Sequence, residues 1–115
     1  MIARLLARWR RPSAPVELRL YTKRDCPLCD EMKAELARAR VRPPYRLVEL
    51  DIEGDERLLA LHSRSIPVLE IAGRPAFKGR MTAREFERRY ARRVSELRAE
   101  LREEPRSAGG EPPRG

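Results

Sequence analysis

Several residue types that mark particular classes of protein are scarce in this chain of 115 residues. It contains only two cysteines and one histidine. That excludes a framework of several disulfides and a zinc site built from four Cys or His ligands. No stretch approaches the roughly 20 consecutive apolar residues that a membrane-spanning helix needs. We therefore expect no stable membrane insertion. The chain also shows no internal repeat.

Charge is plentiful but unevenly distributed. The formal net charge is +8, yet residues 1–15 alone carry four arginines and no acidic residue, whereas residues 16–80 are nearly balanced. A basic total suits nucleic acid or an anionic membrane. Here half of it lies in a short N-terminal arm, and the aromatic residues are only one Trp, three Tyr and two Phe. We expect no nucleic-acid binding. The arm fits either a frayed segment or a small amphipathic helix that contacts a membrane or partner.

Both cysteines stand in one motif, Cys26-Pro27-Leu28-Cys29. The alternating residues 16–21 before it predict a strand, and a helix is predicted from Pro27 to about Arg40. Cys26 would then lie at a helix N-terminus, where unpaired N–H groups and the helix dipole favour a nucleophilic thiolate. Cys29 follows about one turn later, within reach of a disulfide. A C-x-x-C pair at a strand-to-helix junction indicates thiol–disulfide redox chemistry.

The competing interpretation of the motif is part of a zinc site. Zinc takes four protein ligands in structural sites and three in catalytic ones. His62 is the only further Cys or His that could join the pair. It stands near the end of a short predicted helix, where a capping or surface role is typical. Lys23 and Arg24 precede Cys26, and their positive charge would favour its thiolate.

The rest of the chain alternates between strand and helix patterns. The predicted elements are a strand over 45–52, a helix over 56–63, strands over 65–71 and 75–78, and a helix from about Ala83 to Pro105. The final helix follows a capping box of Thr82 and Glu85. Four of its arginines are predicted to form a solvated face: Arg88, Arg89, Arg92 and Arg93. The chain thus divides into a basic arm (1–15), one domain (16–104) and a disordered tail (105–115).

This β-α-β-α-β-β-α order resembles the glutaredoxin branch of the thioredoxin fold, most closely short bacterial glutaredoxin-like proteins. Three stretches carry the resemblance. Residues 21–29 (Y-T-K-R-D-C-P-L-C) match Y-[ST]-K-x-x-C-P-x-C, residues 65–68 (S-I-P-V) match T-V-P, and residues 77–82 partly match F-I-G-G-x-[ST]-D. The resemblance implies an α/β thioredoxin-like fold with a mixed four-stranded central sheet and flanking helices. It implies a glutaredoxin-like domain over 16–104.

The resemblance also implies roles for the central residues. Cys26 would be the attacking cysteine and Cys29 the resolving one. Pro67 would follow a cis peptide bond and face the pair. The backbone of Ile66 would offer strand-like hydrogen bonds to a bound thiol peptide such as glutathione.

Further residues would hold the two ends of glutathione. Lys23 would pair with one carboxylate, and Gly79 with Thr82, at the start of the last helix, would hold the other end. Three positions depart from the family pattern: Leu28 replaces its usual aromatic residue, Arg80 a glycine and Ala83 an aspartate. The last two departures predict weakened binding of glutathione and make reduction by a thioredoxin-type donor a serious alternative.

The resemblance therefore implies a monomeric, cytoplasmic thiol–disulfide oxidoreductase. It would reduce disulfide-containing proteins or glutathione mixed disulfides and be reset by glutathione, its co-substrate, or by a thioredoxin-type reductant. No metal or organic cofactor would be required. Two alternatives stay open. One is a binding module that handles a metal or an iron–sulfur cluster through Cys26 in a dimer, and the other is an adaptor without catalytic activity.

Overall fold

The structure is a computed structural model that describes residues 15–110, with side chains to residue 102. The predicted arm, except Pro15, and the last five residues lie outside the described residues. In chain order the elements are β1 (Val16–Thr22), α1 (Pro27–Arg38), β2 (Tyr45–Asp51), a 3-10 turn (Ile52–Gly54), α2 (Glu56–His62), β3 (Val68–Ile71), β4 (Arg74–Lys78) and α3 (Ala83–Gly110). The predicted order of elements is confirmed.

The strands of the described residues form one mixed sheet in the order β2-β1-β3-β4. β1 pairs in parallel with β2, from Val16 opposite Tyr45 to Thr22 opposite Asp51. β3 runs antiparallel to both β1 and β4. With its flanking helices this is the thioredoxin-like architecture that the sequence predicted. The central position of β1 places its C-terminal end, which leads to the cysteines, in the middle of the sheet edge.

The core lies between this sheet and the helices α1 and α3. Its members are apolar residues at alternate strand positions and helical steps: Leu18, Leu20, Met32, Leu36, Leu69, Ile71, Phe86, Tyr90 and Val94. The Tyr90 hydroxyl donates to the Pro43 carbonyl at 2.7 Å, which satisfies its one polar atom. Burial raises the pKa of Tyr90 to about 12.

Several predicted element boundaries move by a few residues. β3 begins at Val68 rather than Ser65. Pro67 has no N–H for the strand ladder, so pairing starts after it. α1 ends at Arg38 because Ala39 has extended backbone angles (φ −70°, ψ 148°). Ile52, predicted as the end of β2, begins the 3-10 turn and is fully buried.

The predicted end of the last helix at Pro105 is wrong. α3 continues to Gly110, which also overlaps the predicted disordered tail. A proline removes one N–H donor and crowds the carbonyl four residues earlier, which can kink a helix without ending it. Leu101 continues the helical spacing of Val94 and Leu97 but is 47% exposed, and Leu97 is the last residue of α3 that packs against the described core. No helix in the described part of the chain is long and apolar enough to cross a membrane.

The prediction that Arg93 belongs to a solvated face is also wrong. Arg93 is only 9% exposed. Its Nε donates to the Ile71 carbonyl at 3.3 Å and its Nη2 to the Ala72 carbonyl at 2.9 Å, while Nη1 lies 3.2 Å from Glu96. Arg93 follows Tyr90 by three residues, so it lies on the core side of α3. It therefore ties α3 to the turn between β3 and β4.

Candidate active site

Cys26 lies where β1 leads into α1. It is the N-cap of α1, with extended backbone angles (φ −117°, ψ 97°), and Pro27 takes the first helical position. Proline suits that position because its missing N–H would have no partner there. The Cys26 sulfur accepts a hydrogen bond from the Cys29 N–H at 3.1 Å. The sulfur thus occupies the place that a serine or aspartate oxygen takes in an ordinary N-cap.

The structure joins Cys26 and Cys29 in a disulfide, with their Cα atoms 5.2 Å apart. This separation lies within the usual range for a disulfide. Cys26 is 9% exposed and Cys29 is 2% exposed. Of the two residues, Cys26 is therefore the more accessible to solvent.

The loop before Cys26 carries three charged, exposed residues. Asp25 has φ +52°, in the left-handed region that aspartate tolerates better than most residues. Cys26, rather than the preceding Asp25, is the N-cap of α1. Arg24 donates its backbone N–H to Glu53 at 3.4 Å, and its Nε lies 3.7 Å from the same carboxylate. Lys23 forms no ion pair with any described residue, so its charge stays available near the cysteines.

Pro67 lies at the same end of the sheet as the cysteine loop. The register of β1 and β3 places Val68 opposite Tyr21, so Pro67 comes next to the end of β1. The Ile66–Pro67 peptide bond is cis, as predicted. Pro67 is buried and its carbonyl accepts from the Gly79 N–H at 2.7 Å. This bond holds the residue after β4 against the proline.

Carboxylates accept hydrogen bonds from backbone N–H groups at the start of α3. The predicted capping box is present: the Glu85 N–H donates to the Thr82 hydroxyl at 3.1 Å, and the Thr82 N–H donates to the Glu85 carboxylate at 3.0 Å. A third N–H, that of Ala83, donates to the Glu35 carboxylate of α1 at 2.7 Å. Sequence reasoning missed Glu35, because nothing local indicates a contact across 48 residues.

A cleft of about 590 Å³ separates α1 from the loop before α3. Gly79, with φ +76°, forms part of its wall, and such a backbone angle favours glycine. The neighbouring Arg80 reaches across to α1, where its Nη1 lies 3.5 Å from the Glu31 carboxylate. Thr82 lines the same cleft. The structure therefore brings Gly79 and Thr82 together at one cleft, with α1 as its other wall.

Comparison with known proteins agrees with this geometry. A family model described as glutaredoxin-like domain (DUF836) matches residues 17–102. The chain belongs to this family. The match includes both cysteines, the cis proline and the start of α3. No curated protein matches the chain significantly.

Two solved structures resemble the glutaredoxin-like domain. One is the Northeast Structural Genomics target protein XcR50 from X. campestris, which is 29% identical, with a TM-score of 0.54. That similarity covers 62% of this chain and 91% of the other. The second is described as a malarial protein and is 16% identical, with a TM-score of 0.41, covering 63% of this chain and 89% of that one. The X. campestris structure supports the same fold for this chain.

The single histidine of the glutaredoxin-like domain packs against an aromatic ring. The ring centroids of His62 and Tyr21 lie 4.4 Å apart. Burial, and after it the nearby Glu70, raises the pKa of Tyr21.

Among the described residues, no group of three or more His, Cys, Asp or Glu side chains is placed to hold a metal ion. The family membership and the paired cysteines indicate redox capacity.

Proposed function

We propose that the glutaredoxin-like domain is a thiol–disulfide oxidoreductase that reduces disulfides in protein substrates. The observation that carries this proposal is the position of Cys26, whose sulfur is both the N-cap of α1 and the more exposed member of the disulfide. A backbone N–H directed at a sulfur stabilises it best when it carries negative charge. Such a thiolate is the species that attacks disulfides.

The reaction starts from the reduced protein. The Cys26 thiolate attacks one sulfur of the substrate disulfide, a bond forms between them, and the second substrate sulfur leaves as a thiolate that takes up a proton. Cys29, as a thiolate, then attacks Cys26 and releases the first substrate sulfur. The substrate gains two electrons and two protons, and the cysteine pair ends in the disulfide seen here.

We propose that an extended segment of the substrate aligns beside Ile66. The backbone of Ile66 belongs to no strand pairing and to no described backbone hydrogen bond. It precedes β3 at the sheet end that carries the cysteines. An unpaired backbone next to a strand is suited to binding an extended peptide. Pro67 would then lie against the substrate segment that carries the sulfur.

The reductant that resets the pair is proposed to be a dithiol protein in preference to glutathione. If glutathione used Gly79 and Thr82, its carboxylate would compete for N–H groups that Glu85 and Glu35 already hold. Arg80 adds a side chain that crosses the cleft to Glu31 on α1. Lys23 still offers one cation. We therefore expect weak binding of glutathione rather than none.

The test is a comparison of reductants with one disulfide-containing protein substrate. The parent protein is assayed with glutathione and its reductase, and with a thioredoxin-type dithiol and its reductase. We expect turnover with both and saturation only with the dithiol. Mass spectrometry of a Cys29→Ser variant should show a mixed disulfide between substrate and Cys26. The proposed function would be contradicted if neither reductant supported turnover and the mixed disulfide did not form.

A further inference from the structure

A row of arginines follows the side of α3 that faces β4. Arg88, Arg89 and Arg92 lie on adjacent helical positions and are exposed. With Arg80 from the preceding loop they surround a groove of about 350 Å³. We call this the arginine groove, and its lining residues are Phe77, Arg80, Glu85, Arg88, Arg89 and Arg92.

The three helical arginines of the groove lack counter-charges. Among the described residues, no carboxylate lies within ion-pair distance of Arg88, Arg89 or Arg92. Two acidic residues near the start of the same helix accept backbone hydrogen bonds instead. Glu85 caps α3, and Glu87 accepts from the Arg40 N–H at 2.9 Å. Uncompensated like charges on adjacent positions create a positive potential that attracts anionic partners.

One arginine of the groove is held in place by an aromatic ring. The guanidinium carbon of Arg89 lies 5.3 Å from the centroid of the Phe77 ring. A guanidinium over an aromatic face is stabilised by cation–π attraction, and a guanidinium can still bind a carboxylate through two N–H groups. Phe77 is half-buried at the edge strand of the sheet. The groove therefore holds one aromatic ring among its arginines.

We propose that the arginine groove binds an acidic segment of the disulfide-containing substrate protein, an inference that rests on the proposed function. Arg80 connects the groove to the redox helix, because it lines the groove and lies 3.5 Å from Glu31, two residues after Cys29. A substrate held in the groove would extend toward the cysteines. Glu85 within the groove, and Glu96 in the adjoining cavity, interrupt the positive surface. Because these carboxylates separate the positive positions, the groove matches spaced carboxylates on a polypeptide better than the continuous charge of a phosphate backbone.

The first experiment measures binding with the oxidised protein. The probe is a fluorescent, cysteine-free peptide rich in Glu and Asp with one Leu, and the comparison probe replaces every acidic residue by its amide. We expect saturable binding of the acidic peptide alone, weakened by added salt. Arg88→Ser with Arg92→Ser should weaken it about tenfold, since each exposed charge contact contributes modestly.

The matched control is Arg57→Ser with Arg98→Ser. Both of these arginines are exposed, form no ion pair with described residues, and their replacement changes the net charge equally. We expect the control to shift the dissociation constant less than about twofold. Equal weakening by both double variants would overturn the proposal, since net charge alone would explain it. Tighter binding of RNA or anionic vesicles through the same two arginines would assign the groove to another class of partner and also overturn it.

The second experiment links the groove to turnover. Two disulfide peptides are compared as substrates, one with an acidic extension and one with the amide extension. In the groove variant, the ratio of kcat/KM for the acidic over the amide substrate should fall about tenfold. An unchanged ratio would refute substrate docking. A parent protein that reduces neither substrate would instead refute the proposed function, so the two failures are distinguishable.

Discussion

Two helix N-termini in this domain satisfy their backbone N–H groups with different chemistry. At the start of α1 the Cys29 N–H donates to the sulfur of Cys26. At the start of α3 the donors reach oxygen atoms: the Thr82 hydroxyl and the carboxylates of Glu85 and Glu35. The first terminus is capped by a group that can form and break covalent bonds. The second is capped by hydroxyl and carboxylate oxygens, which only form hydrogen bonds there.

The different capping atoms give the two helix N-termini different roles, one in reactivity and one in stability. Neutral or oxidised sulfur is a weak acceptor, so the α1 terminus gains most when Cys26 is a thiolate. Carboxylates are strong acceptors at a positive helix end and stay bound there. A helix N-terminus can bind an anionic ligand only while its donors are available. We therefore expect the N-terminus of α1 to react with substrates and the N-terminus of α3 to stabilise the fold.

The largest effect is expected from replacing the sulfur that caps α1. Cys26→Ser should reduce disulfide turnover by more than about a hundredfold, because a serine hydroxyl is not ionised at neutral pH. The fold should persist, since serine is a good N-cap. Ser95→Ala, an exposed change on α3, is the control and should keep the parent rate. Disulfide turnover by the Cys26→Ser protein near the parent rate would contradict the assignment.

The second prediction compares the two sulfurs in the reduced protein. Cys26 should react with an alkylating reagent at least about ten times faster than Cys29 at neutral pH, because only Cys26 combines the helix N-terminus with access to solvent. Peptide mapping after brief alkylation measures the ratio. Faster labelling of Cys29 would reverse the proposed roles.

The third prediction weakens the α3 terminus. Thr82→Ala should lower the free energy of unfolding by about 1 kcal/mol, the usual loss for an N-cap side chain. Thr82→Ser keeps the hydroxyl and should lose much less. Urea denaturation of both variants measures the difference. Equal stability of Thr82→Ala and the parent would show that the capping box contributes little here.

The smallest effect is expected from Glu35. Glu35→Ala should release the Ala83 N–H and raise the slope of turnover rate against glutathione concentration about threefold, given the modest strength of one such contact. Glu35→Gln keeps an acceptor oxygen and should resemble the parent. A matching shift in both variants would point to the lost charge rather than to the released donor.

Features formed by near neighbours in sequence were predictable. The cysteine motif and the capping box each span four residues, so their spacing alone indicates the geometry. The mixed four-stranded sheet followed from the resemblance to a known fold. The cis peptide bond before Pro67 was implied in the same way, and the structure contains it.

Contacts between distant segments were not predictable. The local sequence around Glu35 gives no sign that its carboxylate caps another helix. Arg93 was grouped with exposed arginines because charge usually indicates solvent, yet carbonyls at the end of β3 accept its hydrogen bonds. Leu61 had an apolar side chain in a helical pattern but is 70% exposed. In each case the neighbour that decides the environment is absent from the local sequence.

The separation between α1 and α3 in sequence has a consequence for synthesis on the ribosome. Three hydrogen bonds join residues 35–43 to residues 82–90, from Ala83 to Glu35, Arg40 to Glu87 and Tyr90 to Pro43, across 47 or 48 residues. The cysteines are only three residues apart. A nascent chain that ends before α3 would contain both cysteines but would lack the helix that packs against α1. Stalled chains ending before residue 83 should therefore form the disulfide in an oxidant yet remain sensitive to protease.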